Sequence, residues 1–340
     1  MSDFRYIPLG ALPPGAISPD QPATCDPARN LLLPIINVTI PFFALVLCGW
    51  FAARAKRLPD QTVAALNGFI LYFALPAMLF RFVATSSVSD VFNISVILAY
   101  TAVGILIFLV SALGLRWGNN DNWVDTAFGS LAASWPNWGY MGFGLIPALF
   151  GQEAIGLMIS AGFADLLILM PLGLLVASRQ SVNPGQNAAL AGLLGVTRNP
   201  LIGAILAGLC VSLTQLPIPF FIDEFLRLLG TAAGPVALFS IGVSLYRPGR
   251  SSAHTDTWIL VITKLIMHPL LMWILTFQIL DFDRNVAATL TVMAALPASG
   301  TSFLFTERHG GDVDRIAGVI LITTALAFFT FTMTVVLTGT

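Results

Sequence analysis

The chain has 340 residues, of which 56% are hydrophobic and only 10% charged, with a net charge of −1 and a mean hydropathy of +0.85. A soluble domain carries about 25% charged residues, so this composition excludes a soluble fold and specifies an integral membrane protein. The near-neutral charge gives no basis for a nucleic-acid partner, and Cys25, Cys48 and Cys210 show neither C-x-x-C spacing nor a disulfide framework.

Residues 1–30 hold six prolines, balanced charge and no secretory signal, and are expected to form a disordered extracytoplasmic tail. Ten apolar runs follow, at 31–53, 62–84, 92–116, 125–150, 152–177, 199–215, 221–245, 255–280, 286–307 and 314–338. Each is close to the ~20 residues that a helix needs to cross a bilayer. Pro200, near the start of the short sixth run, suits a first-turn proline. The expected organisation is five spans over 31–177, a cytoplasmic linker over 178–198 and five spans over 199–340.

Basic residues set the orientation. Loops after odd-numbered spans hold Arg54, Lys56, Arg57, Arg116, Arg179, Arg198, Arg247, Arg250, Arg308 and Arg315, whereas those after even-numbered spans hold Arg81, Arg227 and Arg284. The positive-inside rule places the odd loops in the cytoplasm. Ten crossings then leave both termini extracytoplasmic, in a multi-pass protein of the cell's inner (plasma) membrane.

The fourth and ninth spans are poor helix material at mid-depth. The fourth contains Ala132-Ala-Ser-Trp-Pro-Asn-Trp-Gly-Tyr-Met-Gly-Phe-Gly144 and the ninth Ala294-Ala-Leu-Pro-Ala-Ser-Gly-Thr-Ser302. Proline removes a donor and clashes one turn back, and glycine costs about 1 kcal/mol against alanine. Freed backbone groups in hydrocarbon survive only against protein or a watery cavity. Paired broken helices at matching positions of two halves point to a transporter's binding site.

The halves also match elsewhere. Pro76-Ala-Met-Leu-Phe80 of the second span and Pro235-Val-Ala-Leu-Phe239 of the seventh both read Pro-x-x-x-Phe, 159 positions apart. Pro136 and Pro297 are 161 apart. Two landmarks at nearly one offset specify an internal repeat. Five spans per copy is odd, so the copies enter from opposite sides and the repeat is inverted.

These residues resemble a known family. Gly49-Trp50, Ala55-Lys56-Arg57-Leu58, Leu66-Asn67 and Tyr72-Phe73-Ala74-Leu75-Pro76-Ala77 are similar to the opening of auxin efflux carriers, a family with plant PIN-type and bacterial malonate and other organic-acid members. The similarity continues through Pro136-Asn137, Arg198-Asn199-Pro200, Gly234-Pro235, Thr263-Lys264-Leu265 and Ala295-Leu296-Pro297, over roughly residues 34–338. It implies an all-α membrane fold of ten helices in two inverted five-helix repeats, with broken spans four and nine crossing. It implies a scaffold part and a transport part that move against each other, and a homodimer through the scaffold. The short linker suggests a bacterial-type member. The sequence departs from the family in one respect: family members often carry an amide after the ninth-span break, whereas Ala298, Ser299 and Gly300 follow Pro297 here.

A half-helix beginning after such a break has free N–H groups and a partial positive charge, which favours anions. The substrate site is therefore expected at Pro136, Asn137, Trp138 and Tyr140 in the fourth span and Pro297, Ser299, Thr301 and Ser302 in the ninth. Asn137 either contacts a carboxylate or caps its own break. The hydroxyls of Ser299, Thr301 and Ser302 either face the ligand or bond back to helix carbonyls. Trp138 and Tyr140 either wall the site or pack. Lys264, near mid-depth in the eighth span, has His268 one turn later on the same face. It either attracts the substrate, replaces a coupling ion, or donates to carbonyls loosened by the breaks. Asp165 either carries a transported proton or pairs with Lys264. Arg81 and Glu307, at span ends, are read as solvated.

The expected function is secondary transport of a small organic anion by alternating access, with a proton co-transported or exchanged. No G-x-x-x-x-G-K-[ST] motif supports direct ATP use. The three histidines have no metal spacing, and neither an enzyme nor a cofactor is indicated. The alternative is a crossed-helix proton or sodium antiporter, which usually needs carboxylates at the crossing.

Overall fold

Nearly every described residue is helical, as hydrocarbon requires of a chain that must satisfy its backbone internally. The computed structural model describes residues 40–41, 44–59, 61–86, 92–119, 122–151, 153–180, 200–246 and 255–339. The tail expected over 1–30 and the linker beyond Gln180 lie outside the described residues. The helices are α1 (Ala44–Arg54), α2 (Thr62–Thr85), α3 (Ile94–Asn119), α4 (Trp123–Ser134), α5 (138–150), α6 (Ala154–Gln180), α7 (Pro200–Thr214), α8 (Phe220–Ser244), α9 (Asp256–Ile279), α10 (Arg284–Ala294), α11 (Gly300–Arg308) and α12 (Val313–Thr338). Six of them, α2, α3, α6, α8, α9 and α12, are long and apolar enough to cross a membrane unbroken. α1 and α7 are shorter apolar helices. The fourth apolar run divides into α4 and α5, and the ninth into α10 and α11.

Proline shapes the long helices in a regular way. Three widened π-helical turns, Ile70–Ala74 in α2, Asp165–Leu169 in α6 and Thr263–Met267 in α9, each end two residues before a proline: Pro76, Pro171 and Pro269. The ring cannot donate and crowds the carbonyl four residues back. Widening the preceding turn relieves that clash without ending the helix. Asp165 and Lys264 both stand on these turns.

The broken spans occupy the centre. Every residue from Thr126 to Ser134 in α4 is buried, as is every residue from Ala287 to Ala294 in α10. All-round burial surrounds the interrupted backbone with protein. α2, α7 and α8 pack together on one side, and α3, α4, α6, α9, α10 and α12 form the larger group. α1 joins the first group through an approach that only glycine permits: a Cβ on Gly49 would overlap the carbonyl of Phe239, and one on Gly242 that of Val46. At one end of the larger group, Arg315 is 5% exposed and lies 3.9 Å from Asp125 and 3.8 Å from Asp256, joining the first turns of α4, α9 and α12.

Candidate functional site

Where the fourth and ninth spans break, their backbones pair with each other. The Asn137 N–H donates to the Pro297 carbonyl at 2.8 Å, and the Ser299 N–H donates to the Trp135 carbonyl at 3.0 Å. Together they close a short antiparallel bridge centred on Pro136 and Ala298. Neither span could form these bonds alone. Pro136 and Pro297 have no N–H to continue their helices, and extended backbone at Trp135 and Ser299 turns the freed groups sideways. The crossing is thus held by the groups that the breaks release.

Neighbouring helices serve the remaining loose ends. The Ala298 N–H donates to Thr323 Oγ1 of α12 at 3.2 Å. Lys264 Nζ, from α9, donates to the Ala294 carbonyl at 3.1 Å and sits 3.0 Å from His268 Nδ1. Ala294 ends α10, and a cation is favoured at the carbonyl end of a helix. Lys264 and His268 are both fully buried. Lys264 thus donates to a carbonyl that the break in the ninth span leaves open.

Asn137 and Ser302 behave differently. Asn137 is fully buried, its side chain does not cap α5, and neither Oδ1 nor Nδ2 has a hydrogen-bond partner. The Ser302 hydroxyl, on the first turn of α11, is likewise buried and unpartnered. Ser299 instead caps α11: its Oγ accepts from the Thr301 N–H at 3.2 Å and donates to Thr301 Oγ1 at 3.0 Å. Trp138 is buried and donates its indole N–H to Asp165 Oδ2 at 2.6 Å, with its ring over Gly162. The partner of Asp165 is therefore the indole and not Lys264, and its Oδ1 is unpartnered. The Tyr140 side chain lies outside the described residues.

Sequence reasoning passed over Thr323 and Tyr100. Tyr100, fully buried on α3, has its ring 6.0 Å from that of His268. A hydroxyl at mid-depth in an apolar run was the available signal for both. Arg81, read from the sequence as solvated, forms a two-pronged ion pair with Asp223 of α8, at 2.6 and 3.1 Å.

Two cavities flank the half-helices that follow the breaks. A cleft of about 480 Å³ runs between α2, α8 and α5, lined by Met78, Arg81, Thr85, Gly139, Phe143 and Arg227. On the side of α11, Asn67, Ser240, Ser244, Gly300 and Phe303 enclose only about 30 Å³. There Ser240 Oγ donates to Asn67 Oδ1 at 2.9 Å, closing α2 against α8.

A family model described as membrane transport protein matches residues 34–191 and 187–335. The chain belongs to the auxin efflux carrier family of membrane transport proteins. It is 28% identical over 306 residues to a Rhizobium meliloti (strain 1021) protein named "Putative malonate transporter", covering 88% of this chain and 94% of that one. It is 22% identical over 316 residues to auxin efflux carrier component 5 of Arabidopsis thaliana, covering 81% and 88%. It is also 27% identical over 267 residues to a lysosomal cholesterol signaling protein of Mus musculus, covering 73% of this chain and 30% of the mouse protein. Membership makes this chain a multi-pass membrane protein of a membrane transport family.

Proposed function

We propose that this protein is a secondary carrier of a small organic anion, which it holds by its carboxylate where the fourth and ninth spans cross. One observation carries the reading: a fully buried amide, Asn137, with both polar atoms unpartnered beside two half-helix N-termini. Burying an amide without partners costs about 1–3 kcal/mol, and a carboxylate accepting from Nδ2 and from Ser302 removes much of that cost. The positive ends of α5 and α11 favour the charge. The name of the Rhizobium meliloti relative makes malonate the first candidate.

The mechanism proposed is alternating access. The six unbroken spans, the two short apolar helices and the two broken spans make ten crossings, in our reading two inverted five-helix repeats. With the basic loops cytoplasmic, the large cleft, bordered by Arg81, Thr85 and Arg227, opens outward, and the small cavity beside Ser244 is its closed inward counterpart. The termini are then extracytoplasmic in the inner membrane. The partners proposed are the anion, a co-transported or exchanged proton, the bilayer and a second copy in a homodimer.

The test is uptake of labelled malonate, acetate and benzoate into liposomes holding the purified chain, together with a thermal-shift screen of the same acids. A bound anion must raise stability by mass action. Cation exchange in the absence of any organic acid would instead favour the crossed-helix antiporter, a weaker reading because α4, α5, α10 and α11 place no carboxylate at the crossing.

A further inference from the structure

We propose that Asp165 carries the coupling proton and that the Trp138 indole links its charge state to the Asn137 amide, so that proton and anion cross together. This rests on the anion reading above and adds to it the coupling ion and the path of coupling.

Sequence neighbours join the two sites. Trp138 follows Asn137 and opens the π-helical turn of α5, whose N–H groups at Met141 and Gly142 both donate to the Asn137 carbonyl, at 3.0 and 3.1 Å. The indole is thus borne by the first residue of the turn that hangs on the Asn137 carbonyl. Its other end is fixed by the 2.6 Å hydrogen bond to Asp165 Oδ2, with Trp138 4% and Asp165 0% exposed. The contact is a built one: a Cβ at Gly162 would come within 2.6 Å of the indole ring, so the ring lies in a space that only glycine leaves.

Asp165 retains the capacity to change charge. Its Oδ1 has no partner, which leaves a position for a proton. Two titratable groups from other helices act on it electrostatically, Tyr100 on α3 and Lys264 on α9, and Lys264 Nζ lies 3.0 Å from His268 Nδ1. Lys264 is engaged with the Ala294 carbonyl and His268 and forms no ion pair with Asp165 among the described residues. The carboxylate is therefore not locked in a bridge.

An anion at Asn137 lies one side chain away from Asp165. Two negative charges that close in a dry interior repel, so the anion binds better when Asp165 is protonated, and Asp165 takes up a proton more readily when the anion is bound. That coupling is reciprocal. One proton enters the carboxylate on the open side, crosses as the carboxylic acid and leaves on the other side. A monoanion then crosses with no net charge, and a dianion carries one negative charge across.

The experiment uses the full chain in liposomes with an internal pH dye and labelled malonate and acetate. At one proton per anion and with the membrane potential held at zero, each pH unit of gradient (acid outside) raises malonate accumulation about ten-fold; protein-free liposomes give the baseline for acetate, because acetic acid crosses lipid unaided. Wild type is expected to show this rise together with internal acidification. Asp165→Asn is expected to exchange acids at a pH-independent rate, with no accumulation and no dye response. Trp138→Phe keeps the ring and removes the N–H. It is expected to lower the accumulation that a given gradient drives and to change the pH dependence of uptake, because the hydrogen bond that joins the carboxylate to the turn is gone. Gradient-driven accumulation by Asp165→Asn, or wild-type exchange without a dye response, overturns the proposal while leaving the anion reading intact. Should Asp165→Asn not fold, an unchanged pH profile in Trp138→Phe overturns it equally. Failure of every acid to bind or exchange removes the anion reading and this proposal with it.

Discussion

Asn137 does at the crossing what a helix-capping asparagine would not. Its backbone N–H secures the bridge to Pro297 while its side chain stays unpartnered, so structure falls to the backbone and, in the proposed function, ligand binding to the side chain. Asn137→Ala is accordingly expected to lower malonate uptake at least ten-fold and to leave membrane insertion intact, read by transport against the yield of monodisperse protein. Thr323 holds the backbone just beyond the second break. Thr323→Val strands the buried Ala298 N–H and should cost about 1–3 kcal/mol, measured as a lower unfolding temperature without ligand. Lys264→Met strands the Ala294 carbonyl in the same way. It should lower stability and weaken monoanion and dianion binding alike; a selective loss of dianion binding would mean that the ammonium addresses substrate.

At the scale of elements, proline has two uses in this carrier. Where glycines and polar residues follow it, at Pro136 and Pro297, the helix breaks. Where the next two residues carry no polar side chain, at Pro76, Pro171 and Pro269, the helix continues after a widened turn. Pro171→Ala restores a donor to the turn that carries Asp165. It is expected to stabilise the protein by about 1 kcal/mol while slowing transport, a pairing seen when a functional irregularity is regularised. Heat denaturation and initial uptake rates on one preparation check both halves. The contact of α1 with α8 depends on bare backbone. Gly242→Leu drives a side chain into the Val46 carbonyl and should cost about 1–3 kcal/mol or more, with a fall in folded yield.

For the whole molecule, the proposed orientation and the unequal cavities together predict a resting state whose large cleft faces outward and whose Ser244 side faces the cytoplasm. With Thr85 on the large cleft and Ser244 on the closed side, a membrane-impermeant thiol reagent applied from outside should label Thr85→Cys quickly. Ser244→Cys, reached from the cytoplasmic side, should react slowly. Both are made without Cys25, Cys48 and Cys210. Saturating malonate should change both rates, in opposite directions. The Arg315 contacts with Asp125 and Asp256 give α4, α9 and α12 a common anchor, which suits a group of helices that moves as one body.

Hydropathy, the proline and glycine clusters and the ordered family residues made the spans and both interruptions legible in the sequence, because hydrocarbon tolerates few backbone solutions and a broken helix advertises itself. Even span limits came close: 62–84 against Thr62–Thr85, and 314–338 against Val313–Thr338. The partners of the polar groups were not legible. Asp165 could have faced Lys264 or an indole, and Arg81 could have faced water or Asp223; one-dimensional spacing does not say which helix lies across a contact. Only the tertiary structure paired Asn137 with Pro297, gave the Ala298 N–H to Thr323 and left the amide open. Those choices follow from how helices distant in sequence pack, and packing is decided by three-dimensional fit rather than by the order of residues along any one span.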